Sequence, residues 1–258
     1  MNRPRIFAAS AIILSAGVAL GFACTQDSSS RESGSVTEAA PADSVAGGEC
    51  ARVRIDSITD AEAEKERYLH LTEHDFREVA EELDVEVAAI KAVVEIEAGK
   101  AMKGFWAPGV PVVNYDRAMW AKSRRLVTSN RKAPASAKIP AGLPAGHARN
   151  EWQQLVNARK INEQQANLST FWGMFQIGGF NYKLCGCKTI EEFVELMSYS
   201  ELEQLELFAA LITNCGMLPA LRAKNWAAFA RKYNGPSYAR RGYHTRMAAA
   251  YRKFVSQK

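Results

Sequence analysis

The apolar positions of this chain recur mainly at helical spacing, and residues 84–99 form a helix pattern that is apolar on most faces. A helix of this kind lies in a protein core, with Asp84 and Gly99 as suitable start and end residues. Its last turn carries Glu95 and Glu97, which project about 200° apart because they are two positions apart. We therefore expect one glutamate to reach solvent or an ion pair. The other should face apolar surroundings, which raise the pKa of a carboxyl. Two ordinary helix-end charges are the alternative.

The rest of the chain after residue 70 also has a mainly helical pattern. Capping sequences predict helix starts at Thr72, Thr189 and Ser200. Residues 110–115 have a β-like composition, and Pro111 confines them to an edge, so we expect a small hairpin there. Further helices are predicted over residues 116–125, 151–165, 202–212, 226–230 and 243–254.

The first 24 residues resemble a bacterial lipoprotein signal, with Arg3 and Arg5 before an apolar run over residues 6–23. In such a signal, Cys24 would be lipidated and would become the mature N-terminus. This predicts an exported protein, anchored in a membrane and facing the periplasm or cell envelope. An uncleaved membrane anchor and an ordinary secreted protein are the alternatives.

The next segment, residues 25–55, is rich in Ser, Gly, Ala, Pro and Glu and has few large apolar side chains. Such a composition cannot bury enough surface to order itself, so we interpret the segment as a disordered linker. Residues 56–258 are long enough for one domain with its own core.

Charge is distributed unevenly along the chain, whose net charge is +5. Residues 122–149 hold seven Lys or Arg and no acid, and residues 216–258 hold ten and no acid. Such segments suit a polyanionic partner. An exported protein rarely meets nucleic acid, so we expect an anionic wall polymer and no nucleic acid. A solvated basic surface without a partner is the alternative.

Cysteine usage allows a disulfide but indicates no metal site. If Cys24 is lipidated, Cys50, Cys185, Cys187 and Cys215 remain, and an oxidising compartment would allow Cys215 to pair with Cys185 or Cys187. The sequence leaves the pairing open. No histidine lies near the close cysteine pair and no phosphate-binding glycine loop is present, so we expect neither a metal nor a cofactor.

Three segments carry the groups that a sugar site needs: residues 97–99, 172–181 and 230–236. Glycines in the second segment let the backbone approach a ligand closely. Gln176 offers an amide, and Tyr233 and Asn234 precede a turn, so all three can face a pocket around Glu97. Sugars have apolar ring faces and hydroxyls that need partners. For Trp172, core packing is the alternative interpretation.

These segments, in this order, resemble the N-acetylmuramidase family of phage endolysins and bacterial cell-wall enzymes, within the lysozyme-like superfamily. The resemblance covers about residues 71–254 and implies a mainly α, monomeric, lysozyme-like helical domain with a small β-hairpin beside the active-site cleft. It places the catalytic glutamate at Glu97. The substrate-binding residues that it implies are Tyr115, Trp172, Gln176, Asn181, Tyr233 and Asn234.

The chain departs from the family pattern at two places. The family usually has Phe-Glu-Arg-His after the hairpin, whereas this chain has Tyr-Asp-Arg-Ala at residues 115–118. The serine that usually follows the catalytic glutamate is Ala98. The family's second acid is therefore shortened to Asp116, whose role is left open.

The resemblance implies cleavage of the β-1,4 bond between N-acetylmuramic acid and N-acetylglucosamine in peptidoglycan glycan strands. Glu97 would be the general acid, and Asp116 would orient the attacking water. The alternatives are a lytic transglycosylase, in which the 6-hydroxyl of muramic acid attacks, and a wall-binding lipoprotein without turnover.

Overall fold

The computed structural model describes residues 70–257. The predicted signal peptide and linker, with Cys24 and Cys50, lie outside the described residues. In the described part, the chain forms a mainly helical domain, as the sequence predicted, and it contains two small antiparallel sheets. None of the helices in residues 70–257 is long and apolar enough to cross a membrane.

The described residues form ten α-helices, five strands and three short 3₁₀ helices. The α-helices are α1 (Glu73–Glu82), α2 (Val87–Ala98), α3 (Arg117–Ser123), α4 (His147–Arg159), α5 (Glu163–Leu168), α6 (Ile190–Met197), α7 (Glu201–Asn214), α8 (Leu218–Arg222), α9 (Trp226–Tyr233) and α10 (Tyr243–Val255). The strands are β1 (Phe105–Ala107), β2 (Val110–Pro111), β3 (Val113–Tyr115), β4 (Thr170–Trp172) and β5 (Ile177–Gly178). The 3₁₀ helices are Arg124–Leu126, Gly179–Asn181 and Pro236–Tyr238.

Helix α2 runs through the core, and α10 packs along it. Its predicted end is confirmed, because Gly99 closes the helix with φ 77°. Its predicted start is wrong. Asp84 has φ 52° and belongs to the turn after α1, in which the Val85 amide donates to the Ala80 carbonyl at 2.9 Å. Glu86 therefore takes the position before the first helical residue.

The predicted hairpin over residues 110–115 is only partly correct. Strand β2 closes a hairpin with β1, but β3 leaves it and pairs antiparallel with β4, which in turn pairs with β5. Val112 is the crossing point between the two sheets: its amide donates to Gly104 and its carbonyl accepts from Gly173. The pairing of β3 with β4 brings together segments more than fifty residues apart, which periodicity cannot reveal.

Most helix starts were predicted correctly. Thr72, Thr189 and Ser200 each cap a helix with the side-chain oxygen. The single helix predicted over residues 151–165 is instead two helices, α4 and α5. They are separated because the Asn162 side chain accepts from the amide of Gln165 and caps α5.

The disulfide prediction is not met by the structure. Cys185 and Cys187 are buried free thiols, so neither is joined to Cys215. Burial raises the pKa of Cys187 to about 12, with the negative charge of Glu192 as a further cause, so this thiol stays protonated near neutral pH.

One buried amide joins the hairpin to the segment between β4 and β5. Gln204 in α7 is fully buried; its Oε1 accepts from the Met174 amide at 2.8 Å, and its Nε2 donates to the Met197 carbonyl at 2.8 Å. A Cβ added at Gly104 or Gly173 would lie 2.5 or 2.6 Å from this Oε1. Both glycines therefore allow the backbone to close around the Gln204 side chain.

We expect Gln204→Leu to lower the free energy of unfolding by about 2 kcal/mol, because the mutation leaves the buried Met174 amide without its acceptor. Urea denaturation monitored by tryptophan fluorescence measures this loss. Gln153→Leu, at an exposed position of α4, is the matched control and should change stability far less. Equal effects of the two substitutions would contradict the role of Gln204.

Candidate active site

A cleft of about 600 Å³ opens where the end of α2, strand β3, the segment between β4 and β5, and the end of α9 meet. Most of the residues predicted to bind substrate come together here. The lining residues are Ile96, Glu97, Asn114, Tyr115, Asp116, Arg117, Met119, Lys122, Phe171, Gln176, Phe180, Tyr233, Asn234, Arg241 and Tyr243.

The two glutamates at the end of α2 have separate surroundings, as predicted. Glu95 points to α10, where its Oε2 lies 2.6 Å from Nζ of Lys253. Glu97 points into the cleft, and its Oε1 accepts a hydrogen bond from Nδ2 of Asn234 at 2.7 Å. The helical period thus places one carboxylate in an ion pair and the other in the cleft.

Glu97 has the electrostatics of a proton donor. Burial raises its pKa from 4.5 to about 7, against the opposing effects of the Asn234 hydrogen bond and the positive charge of Arg246. Near neutral pH the carboxyl therefore exists in both forms. A group with this pKa can give up a proton and regain it at the same pH.

The end of α9 closes the cleft over Glu97. Asn225 caps the start of α9, and Gly235 follows Asn234 with φ 77°, which turns the chain away. The Tyr233 hydroxyl donates to the Phe175 carbonyl at 2.6 Å. That hydroxyl is thus engaged in a hydrogen bond within the protein, and the ring of Tyr233 lines the cleft.

The segment between β4 and β5 presents Gln176 in a left-handed conformation, with φ 48°. Its Nε2 donates to the Gly173 carbonyl at 2.8 Å, so the side chain folds back over its own turn. This bond uses one of the two hydrogens on Nε2, so the second hydrogen and Oε1 can still donate to and accept from a ligand. The amide therefore keeps the ability to donate and accept that the sequence analysis inferred.

The opposite part of the cleft is built from the end of β3 and the start of α3. Asp116 caps α3, and its Oδ1 accepts from the Ala118 amide at 2.8 Å. The Tyr115 amide donates to Oε2 of Glu151 at 2.7 Å, and Glu151 is buried in α4. Glu151 therefore holds the strand end that carries Tyr115 and Asp116 into the cleft.

Two predicted substrate-binding residues lie elsewhere. Trp172 is fully buried, and its indole nitrogen donates to the Asn167 carbonyl at 3.1 Å. Its ring packs edge-on against Trp152, with the Arg159 guanidinium 5.5 Å from its centre. Asn181 is 8% exposed and does not line the cleft. For Trp172, the core-packing alternative is therefore correct.

Sequence reasoning did not select several residues that line the cleft. They are three cations and three aromatic side chains: Arg117, Lys122, Arg241, Phe171, Phe180 and Tyr243. Phe171 and Phe180 flank the segment that contains Gln176, and their rings meet edge-on at 6.0 Å. Lys122 and Arg241 belong to the two basic segments of the sequence, which pointed to an anionic partner. Nothing in either segment indicated that the two residues would line the same cleft.

Within residues 70–257, no group of three or more His, Cys, Asp or Glu side chains is arranged to hold a metal ion.

The comparisons with known proteins agree with this geometry. A family model described as N-acetylmuramidase matches residues 86–255. Among solved structures, the chain is similar to the Burkholderia AP3 phage endolysin, at 35% sequence identity and a TM-score of 0.59, over 73% of this chain and 72% of that one. A comparison with curated proteins found no match.

The helical fold, the small antiparallel sheets and the cleft at the end of the core helix define a glycosidase of the lysozyme-like class. The chain belongs to the N-acetylmuramidase family, whose model spans nearly all of the described domain. At the level of this family it is a peptidoglycan hydrolase.

The raised pKa of Glu97 predicts a pH-dependent stability that Glu97→Gln removes. The unfolded carboxyl ionises near pH 4.5 and the folded one near pH 7, so the contribution of this carboxyl to stability is most favourable below pH 4.5 and is lost as the pH rises to 7. Relative to Glu97→Gln, the wild type should lose up to about 3 kcal/mol of unfolding free energy between pH 4.5 and pH 7. Urea denaturation at half-unit pH steps measures the difference. Gln153→Leu, which removes no titratable group from an exposed position, is the control and should keep the wild-type profile. Parallel curves for the wild type and Glu97→Gln would contradict the prediction.

Asn234 lowers the pKa of Glu97, so Asn234→Leu should raise it. Leucine fills a similar volume and keeps water out, but it removes the donor that favours the ionised carboxylate. We expect an increase of about one pH unit, read from the carboxyl ¹³C resonance of Glu97, which Glu97→Gln identifies by its disappearance. An unchanged or lower pKa would show that the hydrogen bond does not control this carboxyl.

Proposed function

We propose that the protein cleaves the β-1,4 bond between N-acetylmuramic acid and N-acetylglucosamine, with Glu97 as the general acid. The observation that carries this proposal is the pKa of about 7 for a carboxyl that faces a sugar-sized cleft. A glycosidic oxygen leaves only when it gains a proton, and a carboxyl that remains protonated near neutral pH supplies it.

The lining of the cleft supports a carbohydrate ligand. Aromatic side chains offer flat apolar surfaces for the faces of sugar rings, and a volume of about 600 Å³ is typical of a ligand site. Oε1 of Gln176 and the exposed side chain of Asn114 offer hydrogen bonds to hydroxyl or acetamido groups. The aromatic lining residues are Tyr115, Phe171, Phe180, Tyr233 and Tyr243.

In the proposed hydrolysis, Glu97 transfers its proton to the glycosidic oxygen as the bond from that oxygen to the anomeric carbon breaks. A water oxygen then bonds to the anomeric carbon, and the water proton passes to Asp116 or to solvent. Oδ1 of Asp116 accepts the Ala118 amide, so Oδ2 is the oxygen that would orient this water. The product is a reducing muramic acid end.

A second candidate function is that of a lytic transglycosylase. In this reaction Glu97 gives its proton to the leaving glycosidic oxygen, and the 6-hydroxyl of muramic acid then bonds to the anomeric carbon and passes its proton to the Glu97 carboxylate, so no second carboxylate is needed. The helix-capping role of Asp116 favours this candidate, because one oxygen of that carboxylate is already used. Its product is a 1,6-anhydro-muramic acid end, which differs from the hydrolysis product by one water.

The proposed substrate also supports the prediction of export, since the wall lies outside the cytoplasmic membrane. We propose that Cys24 carries a lipid that holds the domain in the envelope, with the linker as a tether. Metabolic labelling with a fatty-acid analogue would detect the lipid, and Cys24→Ala should remove the label.

Glu97→Gln should reduce the release of fragments from purified peptidoglycan by about 10³-fold, because the amide cannot donate the proton. Mass spectrometry of the fragments measures both the amount and the type of end. Reducing ends would support hydrolysis, and anhydro ends would support the transglycosylase. Undiminished release by Glu97→Gln would contradict its role. Wild type that pellets with walls and releases nothing would indicate a wall-binding protein.

Asp116→Asn is the matched comparison, because asparagine also caps helices and keeps the shape of the side chain. If Asp116 orients the water, fragment release falls while thermal stability stays close to that of the wild type. Unchanged fragment release would show that Asp116 only caps α3 and does not orient the water.

A further inference from the structure

Three cations line the same cleft as Glu97: Arg117, Lys122 and Arg241. Lys122 begins one of the two acid-free basic segments of the sequence, and Arg241 lies in the other. These segments are far apart in the chain, and the fold brings a residue of each to one cleft. The positive charge that the sequence showed as two separate runs is therefore partly concentrated where substrate would bind.

The two arginines are available to a ligand. Arg241 is exposed and forms no ion pair with any residue in 70–257. Arg117 is exposed too, and its Nε donates to the neutral amide of Gln154 at 3.1 Å. No carboxylate in the described part of the chain neutralises either guanidinium by direct contact.

The charge balance of the cleft favours an anion. Its acidic lining residues are Glu97 and Asp116, which face three cations. Below about pH 7 the Glu97 carboxyl is largely protonated, and Asp116 is then the one acid that opposes the cations among the lining residues. The cleft is therefore most positive in the protonation state in which Glu97 can act as an acid.

We propose that Arg117 and Arg241 bind carboxylates of the peptide stems that muramic acid carries, so that the preferred substrate is a peptide-bearing glycan strand. This inference rests on the proposed function. A guanidinium presents a planar fork of donors that matches a carboxylate with two hydrogen bonds. The stem is joined to the lactyl group of the sugar whose bond is cleaved, so its carboxylates lie near the cleft when that bond lies over Glu97.

Phosphate-bearing wall polymers are the other anions that a cationic cleft can attract. Such a polymer need not be present on the sugar whose bond is cleaved, whereas the peptide stem is joined to that sugar, and the three cations line the same cleft as the candidate catalytic carboxyl. The position of the charge therefore favours a group on the cleaved sugar. Phosphate binding is kept as an outcome of the test.

The test uses soluble, uncrosslinked glycan strands with their peptide stems, either native or with the carboxylates converted to neutral amides by carbodiimide and methylamine. Arg241→Gln and Arg117→Gln should each raise the KM for native strands by about three- to tenfold, with kcat nearly unchanged. On amidated strands the wild type should show the raised KM, and the substitutions should add little further effect. This loss of the mutational effect identifies the carboxylate as the arginines' partner.

Arg240→Gln is the matched control. It removes the same charge from the adjacent residue, which is also exposed but does not line the cleft. Its KM on both substrates should stay within about twofold of the wild-type value. A rise equal to that of Arg241→Gln would show that only the overall charge matters and would overturn the inference.

A binding assay separates failure of this inference from failure of the proposed function. Glu97→Gln protein is pelleted with insoluble native walls, amidated walls and walls stripped of phosphate polymers. Weaker pelleting with amidated walls supports the inference even if no cleavage occurs. Cleavage with equal KM for native and amidated strands overturns the inference and leaves the proposed function standing. Weaker pelleting only with phosphate-stripped walls overturns it in favour of a phosphate-bearing ligand.

Discussion

The candidate site depends on one half-buried carboxyl group, that of Glu97, being held under the end of α9. Burial favours the neutral form of Glu97, and the Nδ2 donor of Asn234 favours the charged form. Burial alone would leave a carboxyl that keeps its proton, whereas the hydrogen bond alone would leave one that has lost it. The pKa near 7 is the balance between the two, and it requires the amide of Asn234 to stay 2.7 Å from Oε1 of Glu97.

That distance depends on contacts beyond the Asn234–Glu97 pair itself. The Tyr233 hydroxyl fixes the end of α9 to the Phe175 carbonyl, and the ring of Tyr233 stacks on Phe229. On the far side, α10 packs along α2, and the ion pair between Lys253 and Glu95 joins the two helices one turn from the cleft. These are contacts between distant parts of the chain, so the pKa of Glu97 is a property of the assembled domain and not of its own helix.

What could be predicted from the sequence was local. Helix caps such as Thr189 and Ser200 depend on residues three positions apart, and the separation of Glu95 from Glu97 follows from the helical period alone. What could not be predicted depends on distant partners. Trp172 lies in an apolar, glycine-rich segment that suits a pocket or a core equally well, and only the pairing of β4 with β3 decides which face is buried. The engagement of the Tyr233 hydroxyl with Phe175 likewise has no signal in either segment.

The shortened acid at residue 116 shows how helix capping and chemistry can compete for one side chain. Aspartate is among the best N-cap residues, because its short side chain reaches back to the amides of the first turn, as Asp116 does with Ala118. A glutamate at this position would cap less well and would reach farther into a cleft. Aspartate at this position therefore stabilises the start of α3 and withdraws the carboxylate toward the backbone. The pKa of Glu97 does not depend on which acid occupies residue 116, because Glu97 lies in α2 and its hydrogen-bond partner lies at the end of α9. The surroundings of Glu97 can therefore be retained while the side chain at residue 116 changes.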